Sequence, residues 1–366
     1  MTERSFAARA AAWAAERVAA GQGDFLTDPF GGMAEAGLFR VGIPAPYGDD
    51  GGYGAIAATE AALVGATGLP GLATSWAGRQ LTARFFIAGF GTEAQQAEWL
   101  PRLASGEVAP AIGISEPGAG AHPKLLQTRA VANGDTITLT GEKAWATNGP
   151  IASLFIVLAI TSEEEGRKRY GAFLVPRNSA GLSLKEMPEM RQILLPSGHC
   201  GVVLDGVQVP ASSRLGPEGR AYDAMALPFR DVEDGVGMSS LGGALDWLVR
   251  ALGRQTTTDP DSHEEAALFL GGLKAEVALV QAGAEAVAGA VDAGRLRAAG
   301  ATLIGTRLVA TSILERIKAS ETYRAGAGDA IERVVGDLGA LLGVARGPRL
   351  ARQAALGRTL LGTDAS

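Results

Sequence analysis

The stretch that decides the fold of this chain is residues 111–149, which read AIGISEPGAGAHPKLLQTRAVANGDTITLTGEKAWATNG. Its first part is a glycine-rich polar loop, and its second part holds the extended run TITLTG followed by EKAWATNG. Apolar residues recur at helical spacing before this stretch, and helical spacing returns after about residue 211. The stretch therefore predicts the beginning of a β insert between two helical domains.

Length and composition exclude several classes of protein. A chain of 366 residues is long enough for two or three units, because single cores stop growing at roughly 250 to 300 residues. The net charge of −6 argues against a nucleic-acid or membrane partner held by general electrostatics. Cys200 is the single cysteine, and His122, His199 and His263 are not clustered, so neither an internal disulfide nor a metal site is expected. We expect a soluble protein of the reducing cytoplasm.

The first third of the chain has the pattern of a helical domain, for which we predict residues 1–110. Helical spacing is present at residues 5–20, 55–65 and 77–89. A further helix is predicted over residues 95–103, with Thr92 as its N-cap.

The pattern changes after residue 110 to short apolar or β-branched runs separated by turn residues. These runs are residues 137–140, 154–159, 170–175, 182–184 and 201–209. The apolar run 151–160 has about half the roughly 20 residues that a membrane-spanning helix needs. It is interpreted as a buried strand, and residues 111–215 are predicted to form an antiparallel sheet or a small barrel.

Long helical patterns with short glycine-bearing joints return in residues 216–366. They cover residues 221–253, 262–291, 298–324 and 329–342, which predicts four antiparallel helices. The predicted fold class is therefore α+β and mainly α: an N-terminal helical domain, a small antiparallel β domain and a C-terminal four-helix bundle.

Five local motifs, in order along the chain, resemble those of the acyl-CoA dehydrogenase family. They are GLFRVGIPAPYGDDGGYG (residues 37–54), FGTEAQQAEWLPRLASGE (90–107), ISEPGAGAHP (114–123), GEKAWATNGP (141–150) and SGHCGVVLDGVQVPASSRLG (197–216). The family consists of flavoproteins that remove hydrogens from Cα and Cβ of an acyl-CoA thioester. The resemblance spans nearly the whole chain, and it implies bound FAD, an acyl thioester substrate and a homodimer or homotetramer, with a paralogous subunit as a further option.

The resemblance also implies which residues contact the flavin ring. At matching positions, Ile112, Ile114 and Ser115 would contact the isoalloxazine, Trp145 would cover one of its faces and Thr147 would hydrogen-bond near N5. A large aromatic beside a planar cofactor excludes water, and a hydroxyl near N5 stabilises the charge that hydride arrival creates. The alternative is that Trp145 is a core aromatic of the β domain.

Contacts to the rest of FAD are less well matched. Arg254, Gly336 and Thr363 occupy positions that the family uses for the cofactor, but the segments around Arg254 and Gly336 depart from the family motifs. Asp337 replaces a family glycine and is predicted to lie where it could repel a pyrophosphate. In the EPGAG segment, Ala121 stands where the family has serine.

The glutamate that serves the family as base is missing from both of its known places. Leu361 occupies the C-terminal place, and Phe229 precedes Arg230 at the other. Leucine and phenylalanine cannot accept a proton. Glu233 lies one helical turn after Phe229 on the same face, whereas Asp231 would point to nearly the opposite face. Glu233 is thus a candidate base with Arg230 beside it, and the alternative is that these acidic residues form a solvated helix end.

Three functions remain open from the sequence. The first is an FAD-dependent oxidoreductase on an acyl thioester, with a displaced carboxylate or with flavin-dependent monooxygenation, which needs no such base. The second is a non-catalytic partner subunit of a heteromeric acyl-CoA dehydrogenase. The third is a structural or binding protein on the same fold. A lone loop histidine such as His122 is most simply a solvated side chain, and His199 and Cys200 are interpreted as filler of the β domain.

Overall fold

The N-terminal region of the chain is helical. The computed structural model describes residues 2–21, 24–190, 192–255, 263–324 and 327–361. The N-terminal helices are α1 (Glu3–Ala19), α2 (Gly52–Thr67), α3 (Pro70–Leu81) and α4 (Glu93–Ala104), with a 3-10 turn at Leu38–Arg40 and a π-helical segment at Thr82–Ala88. Thr92 caps α4 as predicted: its hydroxyl accepts from the Gln95 N–H, and the Gln95 side chain accepts from the Thr92 N–H.

The predicted helix over residues 77–89 is wrong in its bounds. The helix begins at Pro70, since proline at the first helical position has the required φ and no N–H to satisfy. The second half of the predicted range is the π-helical segment, in which each backbone hydrogen bond spans one residue more than in an α-helix. Such segments are frequent at functional sites.

The central region forms one sheet, into which all five predicted strands fall. Its strands are β1 (Pro110–Gly113), β2 (Arg129–Asn133), β3 (Thr136–Thr147), β4 (Leu154–Glu164), β5 (Arg167–Pro176), β6 (Leu182–Glu186), β7 (His199–Pro210) and β8 (Arg214–Leu215). They are ordered β6-β7-β3-β2-β4-β5-β8, and β1 pairs with β4. The sheet is mixed and not purely antiparallel as predicted, because β1 and β2 both run parallel to β4.

The C-terminal region is again helical. After a π-helical segment at Tyr222–Ala226 come α5 (Leu227–Val236), α6 (Met238–Gln255), α7 (His263–Asp292), α8 (Gly300–Ala319), α9 (Glu321–Arg324), α10 (Asp329–Gly343) and α11 (Arg346–Leu361). The single helix predicted over residues 221–253 is wrong, because the helix is interrupted at Gly237, a residue that weakens any helix interior. Helices α6, α7, α8 and α10 pack on one another, which confirms the predicted bundle and the fold class.

The N-terminal helices and the bundle share one hydrophobic core. Helix α2 packs closely on α6, where a Cβ on Gly243 would come within 2.5 Å of the Ala61 carbonyl oxygen. The carboxylate of Asp292, at the end of α7, accepts the N–H groups of Tyr53 and Gly54 at 2.7 Å each, so it caps the first turn of α2. Among the described helices, α7 alone is long and apolar enough to cross a membrane by length and composition, and it packs on α5, α6 and α8.

Candidate functional site

The loop after β1 lies against β3 next to Trp145. The Ala144 N–H donates to the Ser115 carbonyl oxygen at 2.9 Å, one residue before Trp145. Ile112 is held by the pairing of β1 with β4, and the side chains of Ile112, Ile114 and Ser115 are half-buried. The structure therefore brings the predicted ring-contact residues of the loop together with Trp145.

Trp145 is unusual in both backbone and exposure. Its φ is +63°, and the β3–β7 register shifts between Lys143 and Ala146. The side chain is 47% exposed, so Trp145 is not a core aromatic. A non-glycine residue with a positive φ is strained, and such strain concentrates at ligand sites. A large aromatic held out of the core in this way fits the stacking of a planar ligand.

The end of β3 is fixed to the N-terminal helices. Thr147 pairs with His199 on β7 and is half-buried. Asn148 is buried with a φ of +64°, and its side-chain amide donates to the Ser75 carbonyl at 2.8 Å while it accepts from the Ser75 hydroxyl. Burial lowers the pKa of His199, so the ring beside Thr147 is kept neutral near pH 7. Thr147 thus stands at a rigid junction of the β domain with α3.

A buried ion pair beneath this loop was missed by the sequence analysis. Lys143 Nζ is 2.7 Å from Glu116 Oε1, and the side chain of Lys143 is completely buried. Burial lowers the pKa of Lys143 to about 8, against the opposing effect of the Glu116 charge. Burial acts to raise the pKa of Glu116, but the Lys143 charge and the hydrogen bonds outweigh it and lower this pKa. Both groups are therefore ionised at neutral pH.

Phe229, at one of the two places of the family base, is part of an aromatic cluster. Its ring centroid lies 5.3 Å from that of Phe85 and 4.7 Å from that of Phe86, both in the first π-helical segment. The second π-helical segment carries Tyr222, whose hydroxyl donates to the Ala121 carbonyl at 2.8 Å. The start of the bundle therefore contacts both the N-terminal helices and the loop after β1.

The acidic residues of α5 differ in whether an arginine pairs with them. Asp231 accepts from Arg352 at 2.6 Å, and Asp234 accepts from Arg307 at 2.7 Å and from Arg352 at 3.0 Å. These aspartates are thus neutralised by arginines of α8 and α11 and do not form a freely solvated helix end. Arg230 is half-exposed, and its guanidinium lies 3.4 Å from the Asp231 carboxylate.

Glu233 is exposed on α5, and neighbouring protein atoms act on its carboxylate. Burial, together with the negative charge of Asp234, raises the pKa of Glu233 to about 7. The charge of Glu233 also acts on Glu60 of α2, which is 2% exposed and whose pKa burial raises well above its usual value. Glu60 Oε2 has no hydrogen-bond partner among the described residues.

The remaining predicted cofactor residues lie elsewhere. Arg254 is exposed in the last turn of α6, and Gly336 is exposed on α10, where an added Cβ would meet open space. Thr363 lies outside the described residues, and Leu361 is 76% exposed at the last of them. Asp337 is buried, and its Oδ1 accepts from the Leu194 N–H at 2.8 Å.

No cluster of histidine, cysteine and carboxylate side chains suited to a metal ion is present in the part of the chain that the structure describes. A planar ligand, by contrast, is well matched by the exposed indole of Trp145, the Thr147 hydroxyl and the backbone at Ser115. Bound flavin would be held at its ring by these groups.

Family models match most of the first two regions. The model described as acyl-CoA dehydrogenase, N-terminal domain, matches residues 1–107, and that described as acyl-CoA dehydrogenase, middle domain, matches residues 111–205. Together they cover more than half of the chain. The chain belongs to the acyl-CoA dehydrogenase family.

Individual relatives agree with this assignment. The probable acyl-CoA dehydrogenase YngJ of Bacillus subtilis is 32% identical over 55% of this chain and 52% of its own length. The L-prolyl-(peptidyl-carrier protein) dehydrogenase of Pseudomonas fluorescens is 35% identical over 60% of this chain and 59% of its own length. The chain thus spans about half the length of the curated relatives it matches. The structure of a glutaryl-CoA dehydrogenase from Mycobacterium smegmatis in complex with FADH2 superposes with a TM-score of 0.82 over 99% of this chain and 95% of that one, at 22% identity.

Proposed function

We propose that this protein is an FAD-dependent oxidoreductase that acts on an acyl thioester. The observation that carries the proposal is Trp145, which is strained, exposed and adjacent to the loop after β1. Family membership and the FADH2 complex of a structural relative support flavin as the planar ligand. We also propose unit boundaries near residues 110 and 215, a cytoplasmic location and a homodimer or homotetramer.

Glu233 is the proposed base of this reaction. Bound FAD would supply the hydride acceptor, and the chain would supply the group that takes the α-proton of the thioester. A carboxylate with a pKa of about 7 is well matched to accept a proton at neutral pH. About half of it is ionised at that pH, and its proton affinity is higher than that of an ordinary carboxylate. Asp231 and Asp234 are committed to arginines, which leaves Glu233 as the basic carboxylate of α5.

The other groups of the site would act on binding and orientation. The Trp145 indole would exclude water from one face of the ring, and the Thr147 hydroxyl would stabilise the charge that develops near N5. The carrier of the acyl group is proposed to be CoA or a carrier protein, since the names of the two relatives above include one of each class.

The test is anaerobic bleaching of the bound flavin by a series of acyl-CoA and acyl-carrier-protein thioesters. Glu233→Gln is expected to slow bleaching by about 10² to 10⁴-fold, the usual contribution of a general base. Glu285→Gln, an exposed glutamate of α7, is the matched control and should bleach at the wild-type rate. Bleaching of Glu233→Gln at the wild-type rate would remove this residue from the mechanism. In a separate aerobic assay, O2 consumption without enoyl product would favour the monooxygenase.

A non-catalytic partner subunit is the second candidate function. The observations that favour it are Leu361 and Phe229 at the two places of the family base, and the exposure of Arg254 and Gly336, which would suit contact with a cofactor held by a second chain. A purified homomer that stays colourless with added FAD, and becomes yellow only with a paralogue, would select this function over the first.

A further inference from the structure

The buried pair of Lys143 and Glu116 lies directly beneath the residues assigned to the flavin ring. Besides Glu116, the Lys143 ammonium donates to the Ile114 carbonyl oxygen at 3.2 Å. Glu116 in turn accepts the N–H groups of Gln127 at 2.6 Å and Thr128 at 3.0 Å. A buried ion pair is expensive to desolvate, and exchanging such a pair for apolar residues is often neutral or stabilising. Stability alone therefore does not account for this pair.

The pair acts on one peptide group in particular. The carbonyl that Lys143 contacts belongs to the peptide between Ile114 and Ser115, whose N–H is that of Ser115. No protein acceptor for the Ser115 N–H is present among the described residues, although the Ser115 carbonyl accepts from Ala144. A cation at a carbonyl oxygen polarises its peptide, and hydrogen bonds in such a chain strengthen one another. The Ser115 N–H is thereby made a stronger donor.

The same hydrogen bonds also fix the position of the loop backbone. The segment 114–116 is tied to Lys143 by two hydrogen bonds and to Ala144 by one, and Trp145 follows immediately. The side chain of Lys143 points into the protein while that of Trp145 points out, on either side of the β3 irregularity. Lys143 and the Ala144 N–H together therefore hold the loop backbone next to the indole.

We propose that Lys143, held by Glu116, is a positioning residue for the flavin: it places and polarises the Ile114–Ser115 peptide so that the Ser115 N–H stabilises the reduced, more negative ring. This inference rests on the proposed function insofar as flavin is the ligand. Glu116 has a second task, because it neutralises the ammonium that would otherwise be an uncompensated buried charge.

The test compares Lys143→Met with the double variant Lys143→Met/Glu116→Gln. The single variant leaves Glu116 as a buried anion and is expected to melt well below wild type. The double variant removes both charges and should recover most of this loss in melting temperature. If Lys143 acts on the flavin, the double variant still binds FAD more weakly, about tenfold by fluorescence titration of the apoprotein. Its reduction equilibrium also shifts about tenfold toward the oxidised form, or about 30 mV for two electrons.

The matched control is the neighbouring pair of Lys185 and Glu142, whose side chains are 2.7 Å apart on the exposed part of the same sheet. Lys185→Met/Glu142→Gln should keep the wild-type affinity and potential. A Lys143→Met/Glu116→Gln protein with wild-type FAD affinity and potential would overturn the inference and leave the pair with a structural role only. Failure of the wild-type protein to bind FAD would overturn it together with the flavin assignment. Flavin binding without thioester oxidation would refute the proposed function alone.

Discussion

Replacement of Asp337 by asparagine is expected to stabilise the protein at neutral pH. Burial raises the pKa of Asp337 from 3.8 to about 6, against the opposing effects of the Leu194 N–H and Arg333. Because the folded state holds its proton more tightly than the unfolded chain does, the carboxyl favours folding at low pH. This stability is lost as pH rises through about 6. A shift of about 2 pKa units corresponds to about 3 kcal/mol at pH 7 and above.

Asparagine keeps the acceptor for the Leu194 N–H but cannot ionise. Its amide nitrogen takes the place of Oδ2, which has no partner among the described residues, so about 1 kcal/mol of the gain is lost again. We expect Asp337→Asn to be about 2 kcal/mol more stable than wild type at pH 7.5, with the advantage nearly gone at pH 4.5. Urea unfolding at the two pH values measures this difference. Glu332→Gln, an exposed change on the same helix, is the control. Wild-type and Asp337→Asn stabilities that change in parallel with pH would refute the reasoning.

Four further substitutions each test a single position. Thr92→Ala removes the N-cap of α4 and should cost about 1 kcal/mol of unfolding free energy, whereas an unchanged urea midpoint would show that the cap is dispensable. Trp145→Gly relieves the strain of a positive φ, so the unfolding free energy of the apoprotein should rise by up to about 1 kcal/mol. The affinity for FAD should fall, and an unchanged affinity would show that Trp145 does not contact the flavin ring. Gly336→Ala meets open space and should stabilise α10 by about 0.5 to 1 kcal/mol. Gly243→Ala, pressed on a carbonyl, should destabilise. A loss of FAD affinity in Gly336→Ala alone would support the cofactor role of Gly336.

The features of the fold that depend only on residues close together in the sequence could be predicted from it. The Thr92 cap needs only a residue three positions further on, and the strand runs were visible as short apolar segments. The parallel pairing of β1 with β4 joins residues more than 40 positions apart, and no local pattern specifies it. Gly237 itself indicated the interruption of the bundle helix, but the helical spacing of the apolar residues on both sides of it favoured one continuous helix.

The candidate site was predictable to different extents. The grouping of the loop after β1 with Trp145 followed from a family resemblance and not from the chemistry of single residues. Lys143 could have been found, because it has the same parity in β3 as the buried Ile137 and Leu139, and a lysine on the core side of a strand needs a partner. The burial of the Asp337 side chain was not predictable from the sequence, because its partner, the Leu194 N–H, lies 143 residues earlier in the chain.

The carboxylate of Asp292 at the start of α2 has a consequence for biosynthesis. The chain leaves the ribosome from its N-terminus, so α2 is made long before the residue that satisfies its first N–H groups, 239 positions later for Tyr53. Until α7 has been synthesised, the first turn of α2 is left to water, and its apolar face has no α6 to cover it. The N-terminal helices therefore complete their folding only after most of the chain has been translated.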